Sequence, residues 1–199
     1  MSNDGVNTGR RRFLTAATSA VGVAGAVGIA VPFVGSWNPS AKAKAAGAPV
    51  KADIGKVQPG QMIVVEWRGK PVYVMHRTPE QLASLASLDD ELKDPHSEIS
   101  QQPAYVDQDN RAIRPELMVM VGLCTHLGCA PKFRPELGAA DLGGEAWLGG
   151  YFCPCHGSKF DLAGRVYKSV PASTNLIVPP HFFEGDDVLV VGVDQEAAS

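Results

Sequence analysis

The sequence has little excess charge of either sign and few cysteines, and each shortage excludes a class of protein. Its 199 residues contain 18 Lys and Arg against 21 Asp and Glu, a formal net charge of -3, which argues against the basic face of a nucleic-acid binder. Four Cys are too few for a disulfide-dense scaffold. The chain is 45% apolar and 20% charged, which excludes wholesale disorder, and its length allows one globular domain with an additional segment.

Charged side chains are also absent from one long stretch, Phe13 to Ala41. Within it, residues 13–34 are long enough for a helix that crosses a bilayer core of about 30 Å. The alternative is a cleaved signal peptide, whose apolar region is usually about 7–15 residues, and the small residues around Lys42 and Lys44 have the form of a cleavage site. The length favours a retained transmembrane anchor.

The residues before this stretch indicate how it is oriented. Residues 1–12 are polar and end in Arg10-Arg11-Arg12, followed by Phe13-Leu14, an order that resembles a twin-arginine export signal. The number of positive charges on the two sides of the helix is too similar to decide orientation by itself. The motif predicts a cytoplasmic N-terminus and export of everything after the anchor.

The rest of the chain divides into a neck and a β domain. Residues 35–52 are rich in Pro, Ala, Gly and Lys and predict a flexible neck, and residues 53–195 predict the folded domain. A helix start is predicted at Thr78, with Pro79 at its first position and Gln81 three residues after the cap. Residues 89–115 are polar and predict a surface loop. Short strands, which favour an antiparallel β domain, are predicted at Met62–Trp67, Pro71–His76, Leu117–Leu123, Trp147–Phe152, Leu176–Val178 and Val188–Val193.

Chemistry is concentrated in two short boxes, each of which follows a predicted strand. They hold all four Cys and two of the five His. Such clustering is typical of a metal site rather than of packing. The boxes are Cys124-Thr125-His126-Leu127-Gly128-Cys129 and Cys153-Pro154-Cys155-His156-Gly157-Ser158.

Several chemistries are compatible with these residue types. Two Cys and two His suit tetrahedral Zn²⁺, and they equally suit a [2Fe–2S] cluster with two Cys on one iron and two His on the other. A nucleophilic Cys–His pair lacks a recognisable oxyanion site or orienting residue. A thioredoxin-like motif requires Cys-x-x-Cys, whereas Cys153 and Cys155 are separated by one residue.

The two boxes resemble those of the Rieske iron–sulfur protein of cytochrome bc1 complexes, and the similarity extends to the anchor, neck and β domain. The resemblance implies a mainly β protein: a Rieske-type antiparallel β domain with a small cluster-binding subdomain, preceded by one transmembrane helix. It implies one [2Fe–2S] cluster and a hydrogen bond from Ser158 to a cluster sulfur. It also implies the remaining assignments, which are the iron ligands Cys124, Cys153, His126 and His156 and a disulfide between Cys129 and Cys155.

The function implied by the resemblance is that of the iron–sulfur catalytic subunit of quinol–cytochrome c reductase. Such a subunit takes one electron and one proton from ubiquinol at the Qo site, with His156 and His126 as catalytic residues and His156 as the favoured quinol contact. The tip residues Thr125, Leu127 and Gly128 would dock on cytochrome b, and the neck would let the domain move to cytochrome c1. The implied setting is a dimeric complex in the bacterial inner membrane, with one membrane pass and the Rieske domain on the periplasmic side.

The physical chemistry agrees with that function. Replacing two thiolates by neutral imidazoles raises the reduction potential from about −400 mV toward about −150 to +300 mV, which suits electron acceptance from a quinol. A disulfide implies an oxidising compartment. Since iron–sulfur clusters are normally assembled in the cytoplasm, the domain would be exported folded, as a twin-arginine signal allows.

Two other functions remain open at this point. The chain could be the Rieske small subunit of another exported oxidoreductase, such as arsenite oxidase, although the residue order of the second box and the long neck favour the bc1 complex. It could instead be a membrane-tethered zinc module without redox activity. Oxygenase-type Rieske domains are disfavoured because they typically lack the additional Cys pair.

Two positions depart from the pattern of the family. Phe160 stands where many members have Tyr, and loss of that phenol donor predicts a lower reduction potential than in Tyr-bearing relatives. The proline-rich loop Gly-Pro-Ala-Pro is replaced by Val170-Pro171-Ala172-Ser173, for which a role in covering the cluster is expected. Residues 131–147 lengthen the segment between the boxes and predict no function.

Overall fold

The computed structural model describes residues 5, 7–99 and 101–194. Part of the predicted cytoplasmic segment 1–12 and residue 195, the end of the predicted domain, therefore lie outside the described residues. The chain forms two compact units, Met1–Ala45 and Ala46–Ser199.

The first unit contains the helix α1, Thr8–Gly35, which is long and apolar enough to cross a membrane, with a mean hydropathy of 1.8. It starts before the predicted span, because Asn7 caps its N-terminus by accepting a hydrogen bond from the Arg10 N–H at 3.0 Å. The three arginines therefore belong to the first turns of the helix. The predicted neck contains two regular elements that its composition did not indicate: α2, Ala41–Ala46, and the strand β1, Val50–Asp53.

The second unit consists mainly of three antiparallel sheets, which confirms the predicted fold class. Besides β1, the strands are β2 Met62–Trp67, β3 Lys70–His76, β4 Leu117–Val121, β5 Lys132–Arg134, β6 Gly150–Phe152, β7 Lys159–Phe160, β8 His181–Glu184 and β9 Val188–Val191. The strand orders of the three sheets are β1-β9-β8, β2-β3-β4 and β5-β6-β7.

The strands predicted at 62–67 and 71–76 form a hairpin, and the predicted helix start at Thr78 is present. Arg68 and Gly69, with φ of 53° and 69°, form a two-residue turn between β2 and β3, in which Trp67 pairs with Lys70. Thr78 caps α3, Pro79–Ser84: its hydroxyl accepts from the Gln81 N–H, and the Gln81 side chain accepts from the Thr78 N–H. A 3-10 helix, Leu85–Glu91, continues the chain.

Other strand predictions need correction. The strands predicted at 117–123, 147–152 and 188–193 are shorter than expected, and β1, β5, β7 and β8 were missed because they are short or contain polar residues. The strand predicted at 176–178 was wrong. Within the described residues this segment makes isolated backbone hydrogen bonds instead, in which Ile177 O accepts from Val121 N at 2.7 Å and Val178 N donates to Gln101 O at 2.8 Å.

The central sheet β2-β3-β4 is covered on both faces, which places the core on either side of it. Along β3 and β4, alternate side chains point to opposite faces. Tyr73, Met75, Met118 and Met120 pack on the side that carries Cys124, Tyr151, Cys153 and Phe160. Val72, Val74, Leu117 and Val119 pack on Leu189 and Val191 of the first sheet. The two boxes thus emerge from strands fixed by a buried core.

A cysteine and histidine site on two matching loops

The two boxes form loops that are closed by the same backbone hydrogen bonds. In the first, Cys124 N donates to Cys129 O at 2.8 Å and Gly128 N donates to Cys124 O at 2.9 Å. In the second, Cys153 N donates to Ser158 O at 2.8 Å and Gly157 N donates to Cys153 O at 3.0 Å. Both closures pass through a glycine in the left-handed region, with φ of 81° at Gly128 and 77° at Gly157.

A disulfide joins the two loops. Cys129 and Cys155 are bonded, with their Cα atoms 6.6 Å apart, which confirms the predicted pairing. The sulfurs of Cys129, Cys153 and Cys155 lie within 4.8 Å of one another, but two of these sulfurs are used by the disulfide. The free thiols are therefore those of Cys124 and Cys153.

These two thiols are buried and in contact. Only 4% of Cys124 and 2% of Cys153 is exposed, and the side chains are close enough to hydrogen-bond. Burial raises the pKa of the Cys153 thiol, while hydrogen bonds from the backbone N–H groups of Cys155 and His156 lower it. Amide donors aimed at a buried sulfur are the surroundings that a thiolate ligand requires.

The two histidines of the boxes lie beside each other. The ring centroids of His126 and His156 are 4.7 Å apart, and the rings are nearly perpendicular, at 89°. Nδ1 of His126 is buried and has no hydrogen-bond partner among the residues that the structure describes. A buried, unpartnered ring nitrogen on a loop that also carries a buried free thiol fits a metal ligand, because coordination would satisfy that nitrogen. The donor set thus fits a group that takes two sulfurs and two imidazole nitrogens.

Ser158 and the segment Val170–Thr174 lie against the loops. Ser158 is fully buried, and its Oγ accepts a hydrogen bond from Ala172 N at 3.0 Å. Thr125 Oγ1 donates to Thr174 O at 2.7 Å, which ties the first loop to the same segment. Each loop is therefore bonded once to the segment that follows the second box.

The tip residues differ in exposure. Leu127 is 71% exposed and Gly128 is exposed, whereas Thr125 is half-buried by its bond to Thr174. An exposed leucine on a loop whose backbone is fixed by hydrogen bonds and by a disulfide forms a small, rigid apolar surface.

Sequence reasoning missed two residues of this region, Thr174 and Lys93. The resemblance directed attention to positions 170–173, but it gave no signal for Thr174, whose contribution is a backbone oxygen. Lys93 lies far from the boxes in sequence, and its ammonium donates to backbone carbonyls, which a sequence motif cannot indicate.

Comparison with known proteins agrees with this geometry. Residues 49–180 match the family described as "Rieske [2Fe-2S] domain", and residues 1–40 match the "Ubiquitinol-cytochrome C reductase Fe-S subunit TAT signal". The chain is 57% identical over its whole length to a protein of Allochromatium vinosum, of which 95% is covered. It is 42% identical over 96% of its length to a protein of Blastochloris viridis and 39% identical over 96% to one of Rhodospirillum rubrum, covering 97% and 96% of them. All three are named "Ubiquinol-cytochrome c reductase iron-sulfur subunit".

Proposed function

The chain belongs to the family of Rieske iron–sulfur subunits of ubiquinol–cytochrome c reductase, and from this premise we propose that it takes one electron and one proton from ubiquinol at a Qo site and passes the electron to cytochrome c1. The cofactor of the family is a Rieske-type [2Fe–2S] cluster, which supplies one-electron chemistry when bound. The observation that carries the proposal is that two loops joined by a disulfide carry two buried free thiols and two imidazoles in mutual contact, one of which has a buried nitrogen without a hydrogen-bond partner in the described part of the chain.

The residues that would hold the cluster are Cys124 and Cys153 on one iron and His126 and His156 on the other. The contact between the thiols and the burial of both sulfurs support the first pair. For His126, the buried Nδ1 is the ligand atom we propose, which leaves Nε2 to carry a proton. The disulfide supports the assignment because it holds the two loops together without using either free thiol.

His156 is the proposed contact for the quinol. Its side chain is exposed, whereas His126 is half-buried, so a substrate has easier access to His156. An imidazole that binds iron through one nitrogen retains the other for a hydrogen bond to a quinol hydroxyl. That nitrogen would accept the proton as the electron leaves the quinol, so that His156 couples the two transfers.

The exposed tip of the first loop, the neck and the N-terminal helix support assembly of the chain with membrane-bound partner subunits. The exposed side chain of Leu127, with Thr125 and Gly128 beside it, is the proposed docking surface for cytochrome b. The part of the predicted neck 35–52 that precedes β1 would act as a tether that lets the domain reach cytochrome c1. The twin-arginine match, the apolar helix and the disulfide support a single-pass protein with its Rieske domain in the periplasm. The dimeric complex is proposed from the family resemblance alone.

Membranes that contain the full chain with its b- and c-type haem partners provide the test. The wild-type complex should contain two non-haem iron atoms per Rieske chain and show the EPR signal of a reduced [2Fe–2S] cluster, and His156→Ala should lose both that signal and quinol–cytochrome c reductase activity. His96→Ala is the matched control, because His96 is an exposed histidine that bonds Asp109 rather than the loops. Zinc in place of iron, or full activity in His156→Ala, would contradict the proposal.

A further inference from the structure

One lysine holds the segment that lies against Ser158. The Lys93 ammonium donates to Val170 O at 2.8 Å and to Ala172 O at 2.6 Å. Both bonds are charge-assisted, and they join the chain just after the 3-10 helix to a segment almost eighty residues later. Lys93 itself is anchored by its backbone, since its N–H donates to Val166 O at 3.0 Å.

The segment that Lys93 holds, residues 170–172, is hydrogen-bonded directly to Ser158. Ala172, whose carbonyl accepts from Lys93, uses its N–H to donate to Ser158 Oγ at 3.0 Å, and both residues are fully buried. This bond occupies a lone pair of the Ser158 oxygen. The hydroxyl hydrogen is not used by the bond, and its direction is restricted by it.

We infer that Lys93 is a positioning residue for the redox site: it fixes the Ala172 amide, which in turn holds the Ser158 hydroxyl with its hydrogen free to donate toward the sulfurs at the loops. The inference rests on the proposed function, since Ser158 acts on the reduction potential only where a cluster is bound. A donor aimed at the cluster stabilises the additional negative charge of the reduced form. Lys93 therefore raises the reduction potential without touching the redox group.

Lys168 provides a control that distinguishes the positioning of Ser158 by Lys93 from the effect of a nearby positive charge on the reduction potential. Its ammonium donates to Asp90 O at 2.6 Å, so it too is an exposed lysine that clamps a carbonyl of the adjoining 3-10 helix region. Lys168→Met and Lys93→Met each remove one positive charge and the hydrogen bonds that the ammonium donates to backbone carbonyls. Only the Lys93 ammonium is bonded to the segment that contacts Ser158.

The first measurement is a redox titration of the full chain, followed by the EPR signal of the reduced cluster. Lys93→Met is expected to lower the equilibrium constant for reduction by about threefold to tenfold, which is about 28–59 mV at about 59 mV per tenfold. Lys93→Gln retains an uncharged N–H donor group and is expected to give a smaller shift in the same direction, and Lys93→Arg should restore most of the potential. Lys168→Met should leave the potential close to that of the wild type.

A double-mutant cycle tests whether Lys93 acts through Ser158. In a Ser158→Ala background, Lys93→Met is expected to add no further shift, because the hydroxyl that it positions is absent. Equal shifts in Lys93→Met and Lys168→Met, or a Lys93 effect that persists in Ser158→Ala, would overturn the inference.

Hydrogen exchange of the peptide that contains Ala172 gives a readout that is independent of the cluster. Lys93→Met should increase the exchange rate of this peptide at least tenfold, and Lys168→Met should leave it unchanged. Equal rates in the two variants would contradict the inference that Lys93 fixes the Ala172 amide. A wild-type chain without iron would defeat the proposed function, whereas the exchange measurement still decides whether Lys93 fixes the Ala172 amide.

Discussion

Asp161 and Arg165 form an ion pair that is closed off from solvent, with Nε of Arg165 donating to Oδ2 of Asp161 at 2.7 Å. The other carboxylate oxygen of Asp161 accepts from the backbone N–H groups of Ala163 and Arg165. The pair thus closes the turn that follows β7, directly behind the second loop. Arg111 supports the same turn by donating to Ala163 O at 2.9 Å, and although burial lowers the pKa of its guanidinium to about 10, it remains charged at neutral pH.

Removal of Asp161 should therefore destabilise the domain strongly. Asp161→Ala leaves the buried Nε–H of Arg165 and two backbone N–H groups without their acceptor, although Arg165 keeps its ion pair with Asp89. The expected loss is about 3–5 kcal/mol of unfolding free energy. The measurement is the melting temperature of the full chain in detergent. Glu184→Gln is the control, because Glu184 forms an exposed pair with Lys51 that is worth about 0–1 kcal/mol. Equal melting temperatures for the two variants would contradict the structural role of the buried pair.

The stability of the domain should also depend on the neutral form of His181. This residue is fully buried: its Nδ1 contacts Pro179 O at 2.8 Å, and its Nε2 finds no hydrogen-bond partner in the described part of the chain. Burial lowers the pKa of His181, so the unfolded chain takes up a proton before the folded chain does. Stability is then lost as pH falls below the ordinary histidine value of about 6.5.

Replacement of His181 by Gln tests this dependence. The variant is expected to be less stable at neutral pH but to lose less stability between about pH 6.5 and pH 5, as followed by thermal melting. His96→Gln is the contrasting control, since the hydrogen bond that His96 donates to the Asp109 carboxylate raises the pKa of His96, and its contribution to the pH dependence has the opposite sign. An unaltered pH slope in His181→Gln would show that another group is responsible.

The sequence predicted the site more completely than the fold around it. The two boxes and the Cys129–Cys155 pairing were evident because all four cysteines belong to them and the motif is specific. The strand wrongly predicted at 176–178 shows the limit of local pattern. The backbone of this apolar segment makes single hydrogen bonds to separate segments of the chain rather than a ladder, and Ile177 is exposed between two buried residues. Contacts such as Lys93 with Ala172 depend on tertiary placement, which no local pattern encodes.

A hydroxyl at position 160 should raise the reduction potential. Phe160 is fully buried in the core that contains Cys124 and Cys153, and it pairs with Tyr151 across β6 and β7. A phenol donor there would stabilise the reduced form by about 0.5–1.5 kcal/mol, which corresponds to tens of millivolts at about 59 mV per tenfold. Redox titration of Phe160→Tyr is the measurement, with Phe133→Tyr as a control on the neighbouring strand β5. If the reduction potential of Phe160→Tyr equals that of the wild type, the prediction that a phenol donor at position 160 stabilises the reduced form is wrong.

The exposed leucine of the first loop should matter for docking and not for the redox site. Leu127 and Leu137 are almost equally exposed, at 71% and 72%, but Leu137 lies in the 131–147 extension rather than on a loop of the site. Introducing a charge into an apolar contact surface costs binding free energy because the carboxylate must be desolvated or left unpaired. Leu127→Asp is therefore expected to lower quinol–cytochrome c reductase turnover at least tenfold in the assembled complex, while the midpoint potential and EPR signal remain those of the wild type. Leu137→Asp should retain full turnover. Equal losses of turnover in the two variants would contradict a docking surface at the tip of the first loop.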